Sequence, residues 1–153
     1  MSADETNRDR TAVKGTAAAP DAHGSRLPTN ILVADDFLEW RVRIRSIVQQ
    51  RPEWQVICEV CDGLQAVEKT AELRPDIVLL DVGMPILNGI EAAKRIRHTS
   101  RGSRIIFVTQ DGDPDVRISA LATGADAYVL KANAANELLP AIDAALRNGH
   151  PQD

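Results

Sequence analysis

The chain has few cysteines, no long apolar segment and no excess of basic residues. Two cysteines among 153 residues are too few for a disulfide scaffold. No apolar run approaches the roughly 20 residues that a membrane-spanning helix needs, and the N-terminus lacks the apolar core of a secretory signal. We therefore expect a cytoplasmic protein with no membrane partner. Acids outnumber bases by 22 to 18, for a net charge of −4, which argues against direct nucleic-acid binding by this chain.

The first 27 residues differ in composition from the remainder. They contain no aromatic residue and few large aliphatic ones, so they cannot bury enough apolar surface to offset the entropy of ordering. We predict a disordered tail at 1–27, one folded domain at 28–149 and a short tail at 150–153. Four acids and four bases cancel within the first tail, so the whole net charge belongs to the folded domain.

Five short apolar runs alternate with helical patterns along the folded domain. The runs cover 30–34, 54–60, 77–80, 104–108 and 127–130. Continuous apolar runs of this length are typical of strands buried on both faces of a parallel sheet. The alternation predicts an α/β fold of the flavodoxin-like type, a (βα)5 three-layer sandwich with strand order 2-1-3-4-5.

Each helical pattern begins at a residue suited to capping the helix N-terminus. The predicted caps are Asp36, Asp62, Asn88, Asp113 and Asn133. Helical spacing in the second helix predicts that Leu64, Val67 and Ala71 face the core. Pro140 lies inside the last helix, where it removes one backbone hydrogen bond and is expected to cause a mild kink.

Polar residues follow four of the five predicted strands. Asp35 and Asp36 follow the first strand, and Asp81, Thr109 and Lys131 follow the third, fourth and fifth. The carboxyl ends of parallel strands share one edge, and ligands bind there where the strand order reverses. Carboxylates about 5 Å apart repel by roughly 3 kcal/mol at an effective dielectric constant of 20, and an oxygen-only cluster of this kind suits Mg²⁺. A metal, a hydroxyl and an ammonium around one acid are the groups that phosphoryl transfer needs.

Several short motifs at these positions carry a resemblance to a known family. They are Val33-Ala-Asp-Asp36, Leu80-Asp-Val-Gly-Met-Pro85 with Asn88-Gly89, Val108-Thr109, and Gly124-Ala-Asp-Ala-Tyr-Val-Leu-Lys131. From Asn30 to about Asn148 the chain resembles the receiver domain of bacterial two-component response regulators. It looks most like receivers that precede helix-turn-helix DNA-binding domains of the LuxR/NarL class.

The resemblance implies a phosphoryl-accepting site. Asp81 would be the phosphoacceptor, supplied by a histidine kinase, a phosphotransfer protein or a small phosphodonor. Asp36, Asp81 and the backbone carbonyl of Gly83 would bind Mg²⁺ directly, with Asp35 acting through a coordinated water. Lys131 would pair with the phosphoryl oxygens.

The resemblance also implies a conformational switch. Thr109 would swing toward the phosphoryl group, and Tyr128 would turn inward when it does. The signalling surface would be the face formed by the fourth helix, the fifth strand and the fifth helix. That face would contact a downstream protein of unknown identity or form a phosphorylation-dependent homodimer. Such a chain is a self-phosphorylating and autodephosphorylating switch rather than a turnover enzyme.

Four positions depart from the family pattern. One is Asp111, which places another acid at the rim, two residues after Thr109. Ala132 follows Lys131 where the family commonly has Pro with a cis bond, and Gln110 follows Thr109 where a small residue is usual. Gly83, two residues after Asp81, leaves one side of the site bare. We hypothesise that Gly83 admits attacking water and shortens the lifetime of the phosphoryl group.

The sequence leaves other interpretations open. Only five residues follow Asn148, so we expect a stand-alone receiver with no output domain; the alternative is the receiver part of a truncated DNA-binding transcription regulator. A receiver-like interaction module that is never phosphorylated also stays open. A hydrolase with an aspartyl nucleophile is disfavoured because position 83 lacks a second acid. Cys58 and Cys61 form a CxxC pair without further ligands, for which we predict core packing.

Overall fold

The structure, a computed structural model, describes residues 27–148. The predicted tails at 1–27 and 150–153 lie outside this range, apart from Leu27. The strands are β1 (Thr29–Ala34), β2 (Trp54–Val60), β3 (Ile77–Leu80), β4 (Arg104–Thr109) and β5 (Ala127–Leu130). The helices are α1 (Leu38–Val48), α2 (Gly63–Leu73), α3 (Gly89–Thr99), α4 (Pro114–Leu121) and α5 (Ala134–Arg147), with a short 3-10 turn at Lys131–Asn133 before α5. Within 27–148, no helix is long and apolar enough to cross a membrane.

The five strands form one parallel sheet in the order β2-β1-β3-β4-β5. The predicted flavodoxin-like order 2-1-3-4-5 is therefore confirmed. The central strands β1 and β3 pair in register, with Ala34 opposite Leu80. The residues that follow, Asp35 and Asp81, consequently leave the sheet side by side.

Alternate residues of each strand enter two separate cores. On one face, Ile31 and Val33 pack with the buried side chains of α1 and α5. On the other face, Leu32 and Ala34 pack with α2, α3 and α4. This alternation gives the three-layer sandwich that the continuous apolar runs predicted. Pro140 lies within α5, which continues unbroken through it.

Three of the five predicted helix caps are confirmed. The side chain of Asp62 accepts a hydrogen bond from the Gln65 N–H, and that of Asn88 accepts one from the Glu91 N–H. Asp113 caps α4, with Pro114 in the first turn.

The predictions for Asp36 and Asn133 are wrong. The helix α1 begins two residues after Asp36, with Phe37 at the N-cap position and no side-chain cap. The neighbouring Asp35 accepts the Phe37 N–H instead, at 2.9 Å. Asn133 occupies the N-cap position of α5, but its side chain makes no capping hydrogen bond. The Ala134 N–H donates to the Lys131 carbonyl within the preceding 3-10 turn.

The buried face of α2 also differs from the prediction. Val67 is half-buried against the core as expected. Leu64 and Ala71 are exposed, whereas Gly63, Ala66 and Thr70 are buried. A side chain at Gly63 would collide with the Leu87 carbonyl, 1.9 Å from its Cβ position, so small residues allow α2 to approach the loop before α3. The CxxC pair is only partly in the core, since Cys58 is half-buried and Cys61 is exposed.

Candidate functional site

Three carboxylates meet at the carboxyl edge of the central strands. Asp35 and Asp36 follow β1, Asp81 follows β3, and one carboxylate oxygen from each lies within 4.8 Å of the other two. Asp35 and Asp81 are almost fully buried, and Asp36 is half-buried. Adjacent parallel strands therefore bring together the acids that the sequence placed at one edge.

The backbone around these acids is held firmly. The Asp81 N–H donates to the Ala34 carbonyl at 3.0 Å, and the Asp35 N–H donates to the Val60 carbonyl at 3.1 Å. Behind Asp81, the first residue of α3 is Gly89, and a Cβ there would lie 1.9 Å from the Asp81 carbonyl oxygen. Only glycine permits this close approach of α3 to the end of β3.

Lys131 extends into the same pocket from the end of β5. Its ammonium nitrogen lies 2.9 Å from Asp35 Oδ2 and 3.2 Å from Asp81 Oδ2, and its side chain is 3% exposed. The bond from Lys131 to Ala132 is trans, as are all peptide bonds in the described range. The ammonium reaches Asp81 without the cis geometry that is common in the resembled family.

The charges of the pocket are unbalanced. Three carboxylate groups face one ammonium, and the nearby Arg41 directs its guanidinium to the Asp35 backbone carbonyl and to Glu59. Burial raises the pKa of Asp35 above its usual value, and the contacts with Lys131 and the Phe37 N–H offset this only in part. Asp36 Oδ1 is buried and has no hydrogen-bond partner in the part of the chain that the structure describes.

These features fit a divalent cation. An unpartnered buried carboxylate oxygen, three converging acids and an excess of negative charge are what an oxygen-coordinating ion such as Mg²⁺ would satisfy. Gly83, two residues after Asp81, is exposed, with nothing within 4 Å of the position that a Cβ would occupy. The space next to Gly83 is therefore open.

Thr109 and Tyr128 are joined through the loop that follows β4. The buried Thr109 hydroxyl oxygen accepts the Asp111 N–H at 3.3 Å. The Tyr128 hydroxyl donates to the Asp111 carbonyl at 2.7 Å. Tyr128 is already largely buried, next to Phe107 and beneath the Arg117 guanidinium. The backbone of Asp111, rather than its carboxylate, thus links Thr109 to Tyr128. The side chain of Gln110, which follows Thr109, is exposed.

Two aromatic rings next to Lys131 were not assigned to the site by sequence reasoning. The Lys131 ammonium lies 5.0 Å from the ring centroid of Trp40 and 5.6 Å from that of Phe37. The signal in the sequence that could have assigned both rings to the site is their position, one and four residues after Asp36.

The fold and the pocket together define a class: a flavodoxin-like α/β domain with an acidic pocket and a buried lysine at the carboxyl edge of its sheet. Residues 31–143 match the response regulator receiver domain family. The chain belongs to this family.

Individual relatives agree with this assignment. The chain is 33% identical over 115 residues to the nitrate/nitrite response regulator protein NarL of Escherichia coli K12, covering 75% of this chain and 53% of NarL. It is 32% identical to the chemotaxis protein CheY of Listeria monocytogenes, covering 76% of this chain and 98% of CheY. The response regulator domain of Thermotoga maritima CheB is 34% identical with a TM-score of 0.75, covering 80% of this chain and 98% of that domain. The chain thus spans about half the length of NarL and nearly all of CheY.

Proposed function

We propose that this receiver domain accepts a phosphoryl group on Asp81 and signals by phosphorylation-dependent protein contacts. The observation that carries the proposal is the position of Asp81, which is buried between two further acids and in contact with the Lys131 ammonium. A purely structural aspartate would not be surrounded by like charges that repel it by roughly 3 kcal/mol per pair. The phosphodonor would be a histidine kinase, a phosphotransfer protein or a small acyl phosphate.

Asp36 and Asp81 would hold the magnesium ion, together with the backbone carbonyl of Gly83, and Asp35 would contribute through a water. When bound, the ion supplies positive charge that neutralises the oxygens of the transferring group. The unpartnered Asp36 Oδ1 supports this assignment.

The transfer itself needs no acid or base from the protein. An Asp81 carboxylate oxygen attacks phosphorus, an O–P bond forms, and the bond from phosphorus to the donor breaks with its electron pair leaving on the donor atom. The Lys131 ammonium, now on Asp81 Oδ2, stays within reach of the new phosphoryl oxygens and stabilises their charge. Attack by water on phosphorus later restores the carboxylate and releases inorganic phosphate, so the protein resets itself as a switch rather than turning over an external substrate.

Signal transmission would begin at Thr109. When its hydroxyl turns to donate to a phosphoryl oxygen, the hydrogen bond from the Asp111 N–H is lost. The loop that carries Asp111 also holds the Tyr128 hydroxyl, so its movement changes the surface formed by α4, β5 and α5. That surface would bind a downstream protein or a second copy of the chain, and we expect this to occur in the cytoplasm.

The test is phosphorylation by acetyl phosphate, followed by intact mass. The wild-type protein should gain one phosphoryl group with Mg²⁺ and none with EDTA, and Asp81→Asn should gain none. Asp115→Asn is the matched control, since Asp115 is an exposed acid in the first turn of α4, and it should be labelled like the wild type. No labelling of the wild-type protein by acetyl phosphate or by any histidine kinase would favour an interaction module that is not phosphorylated. Repeated turnover of a phosphoester would instead favour a hydrolase.

A further inference from the structure

The Lys131 ammonium has two different kinds of neighbour. On one side it contacts the carboxylates of Asp35 and Asp81, at 2.9 and 3.2 Å. The rings of Trp40 and Phe37 also lie against it, at 5.0 and 5.6 Å from their centroids. Both distances are within the range of a cation–π interaction, which is strongest with tryptophan and gains strength where water is excluded. The 3% exposure of the Lys131 side chain meets that condition.

Trp40 is the better anchored of the two rings. It is half-buried and packs against the core cluster that contains Ile44 and Ile47 of α1. Phe37 lies outside the helix and is 50% exposed. The Trp40 ring also lies near the Arg43 guanidinium, at 5.5 Å, but Arg43 is exposed, so solvent screens that contact.

We propose that Trp40 is a positioning residue for Lys131, holding the ammonium toward Asp81 and thereby setting the rate of phosphoryl uptake. A lysine side chain has four rotatable bonds and loses substantial rotamer entropy when it is held in one place. The rigid indole restricts the ammonium to the pocket. A cation–π contact has no single acceptor atom, so Lys131 can shift from the Asp81 carboxylate to a phosphoryl oxygen while it stays over the ring face.

The inference rests on the proposed function, because it concerns the rate at which Asp81 gains a phosphoryl group. Its main test compares Trp40→Leu with the wild type in acetyl phosphate and Mg²⁺. Leucine keeps the apolar packing on the core and removes the aromatic face. We expect phosphorylation to slow about five- to thirty-fold, the equivalent of about 1–2 kcal/mol of cation–π interaction. Trp40→Phe should recover most of the rate because it restores a ring.

Trp54→Leu is the matched control. Trp54 is the first residue of β2, so it lies at the amino edge of the sheet, away from the carboxyl edge that holds Asp81. Its ring lies 4.7 Å from the Arg51 guanidinium, and the leucine variant therefore loses the same kind of contact far from Asp81. This variant should be phosphorylated at the wild-type rate. A rate for Trp40→Leu within twofold of the wild type would overturn the inference. An equal slowing in both leucine variants would do the same, since it would indicate general loss of stability.

A second measurement tests the contact without a metal or phosphodonor. The chain has two tryptophans, so Trp40 is the sole indole in a Trp54→Phe background. Replacing Lys131 with Met in that background should change the Trp40 fluorescence emission, whereas Lys69→Met, at an exposed position in α2, should not. An unchanged emission in the Lys131 variant would refute the contact. If the wild-type protein takes up no phosphoryl group, the proposed function fails, and the fluorescence result still decides whether Trp40 restrains Lys131.

Discussion

Replacement of Asp36 by Asn should make the metal-free protein more stable. Asp36 is one of three carboxylates whose oxygens lie within 4.8 Å of one another, and its buried Oδ1 has no hydrogen-bond partner among residues 27–148. Each carboxylate pair at about 5 Å repels by roughly 3 kcal/mol at an effective dielectric constant of 20. Asparagine has nearly the same shape and removes the negative charge. The substitution therefore relieves repulsion without creating a cavity.

The size of the gain follows from the neighbours of Asp36. Repulsion from Asp35 and Asp81 is lost, but so is attraction to the Lys131 ammonium that contacts both of them. Attraction to one cation offsets about one of the two repulsions, and solvent around the half-buried Asp36 screens the remainder. We expect a net gain of about 1–3 kcal/mol in the free energy of unfolding, or a rise in Tm of roughly 3–9 °C for a chain of this length.

Urea and thermal unfolding in EDTA measure this gain. Addition of Mg²⁺ should then narrow the difference, because the wild-type protein gains about 1.4 kcal/mol at ten times the Kd for the ion and the variant gains nothing. Glu68→Gln removes one charge at an exposed position of α2 and serves as the control, with no effect expected in either buffer. The reasoning is refuted if Asp36→Asn is less stable than the wild type in EDTA, or if Mg²⁺ still stabilises the variant.

Two further predictions concern the open side of the pocket and an ion pair distant from it. Gly83→Arg should lengthen the lifetime of the phosphoryl group on Asp81, because the space at Gly83 is empty and a long side chain would obstruct attacking water; equal decay rates of phosphorylated variant and wild type would contradict this. Asp143→Asn should lower stability at pH 7, since the hydrogen-bonded Arg51 holds the pKa of the Asp143 carboxyl below its usual value. A depressed pKa stabilises the folded state above the unfolded-state pKa and stops doing so as the pH falls through the folded-state pKa. The difference in urea midpoint should therefore shrink as the pH falls below the usual pKa of an aspartate, and a difference that stays constant there would show that the charge is not its cause.

Most of the architecture was predictable because short apolar runs have one stable arrangement when helices separate them. Parallel strands covered on both faces must be apolar throughout, and right-handed crossovers restrict the strand order. Polar residues at the strand ends then share one edge for topological reasons. This is why Asp35, Asp36, Asp81 and Lys131 could be placed in one pocket before their distances were known.

The local predictions that failed depended on neighbours distant in sequence. Leu64 has the spacing of a buried residue in α2, but the close approach of α2 to the Leu87 carbonyl places Gly63 and Thr70 inside instead. Asp36 is of a residue type that commonly caps helix N-termini. It lies in the acid pocket, however, and α1 begins only after Phe37.

By itself, the sequence determined the strand order, the edge of the sheet where the site lies and the residue types that form it, because periodicity and chain connectivity constrain all three. Only the tertiary structure decided how those residues meet. The packing of α1 against the sheet places Trp40 beside Lys131, and the register of β1 on β3 places two buried carboxylates around one ammonium. Distances of a few ångströms between side chains remote in sequence depend on that packing, and the excess of negative charge that they create is what we expect a divalent metal ion to neutralise.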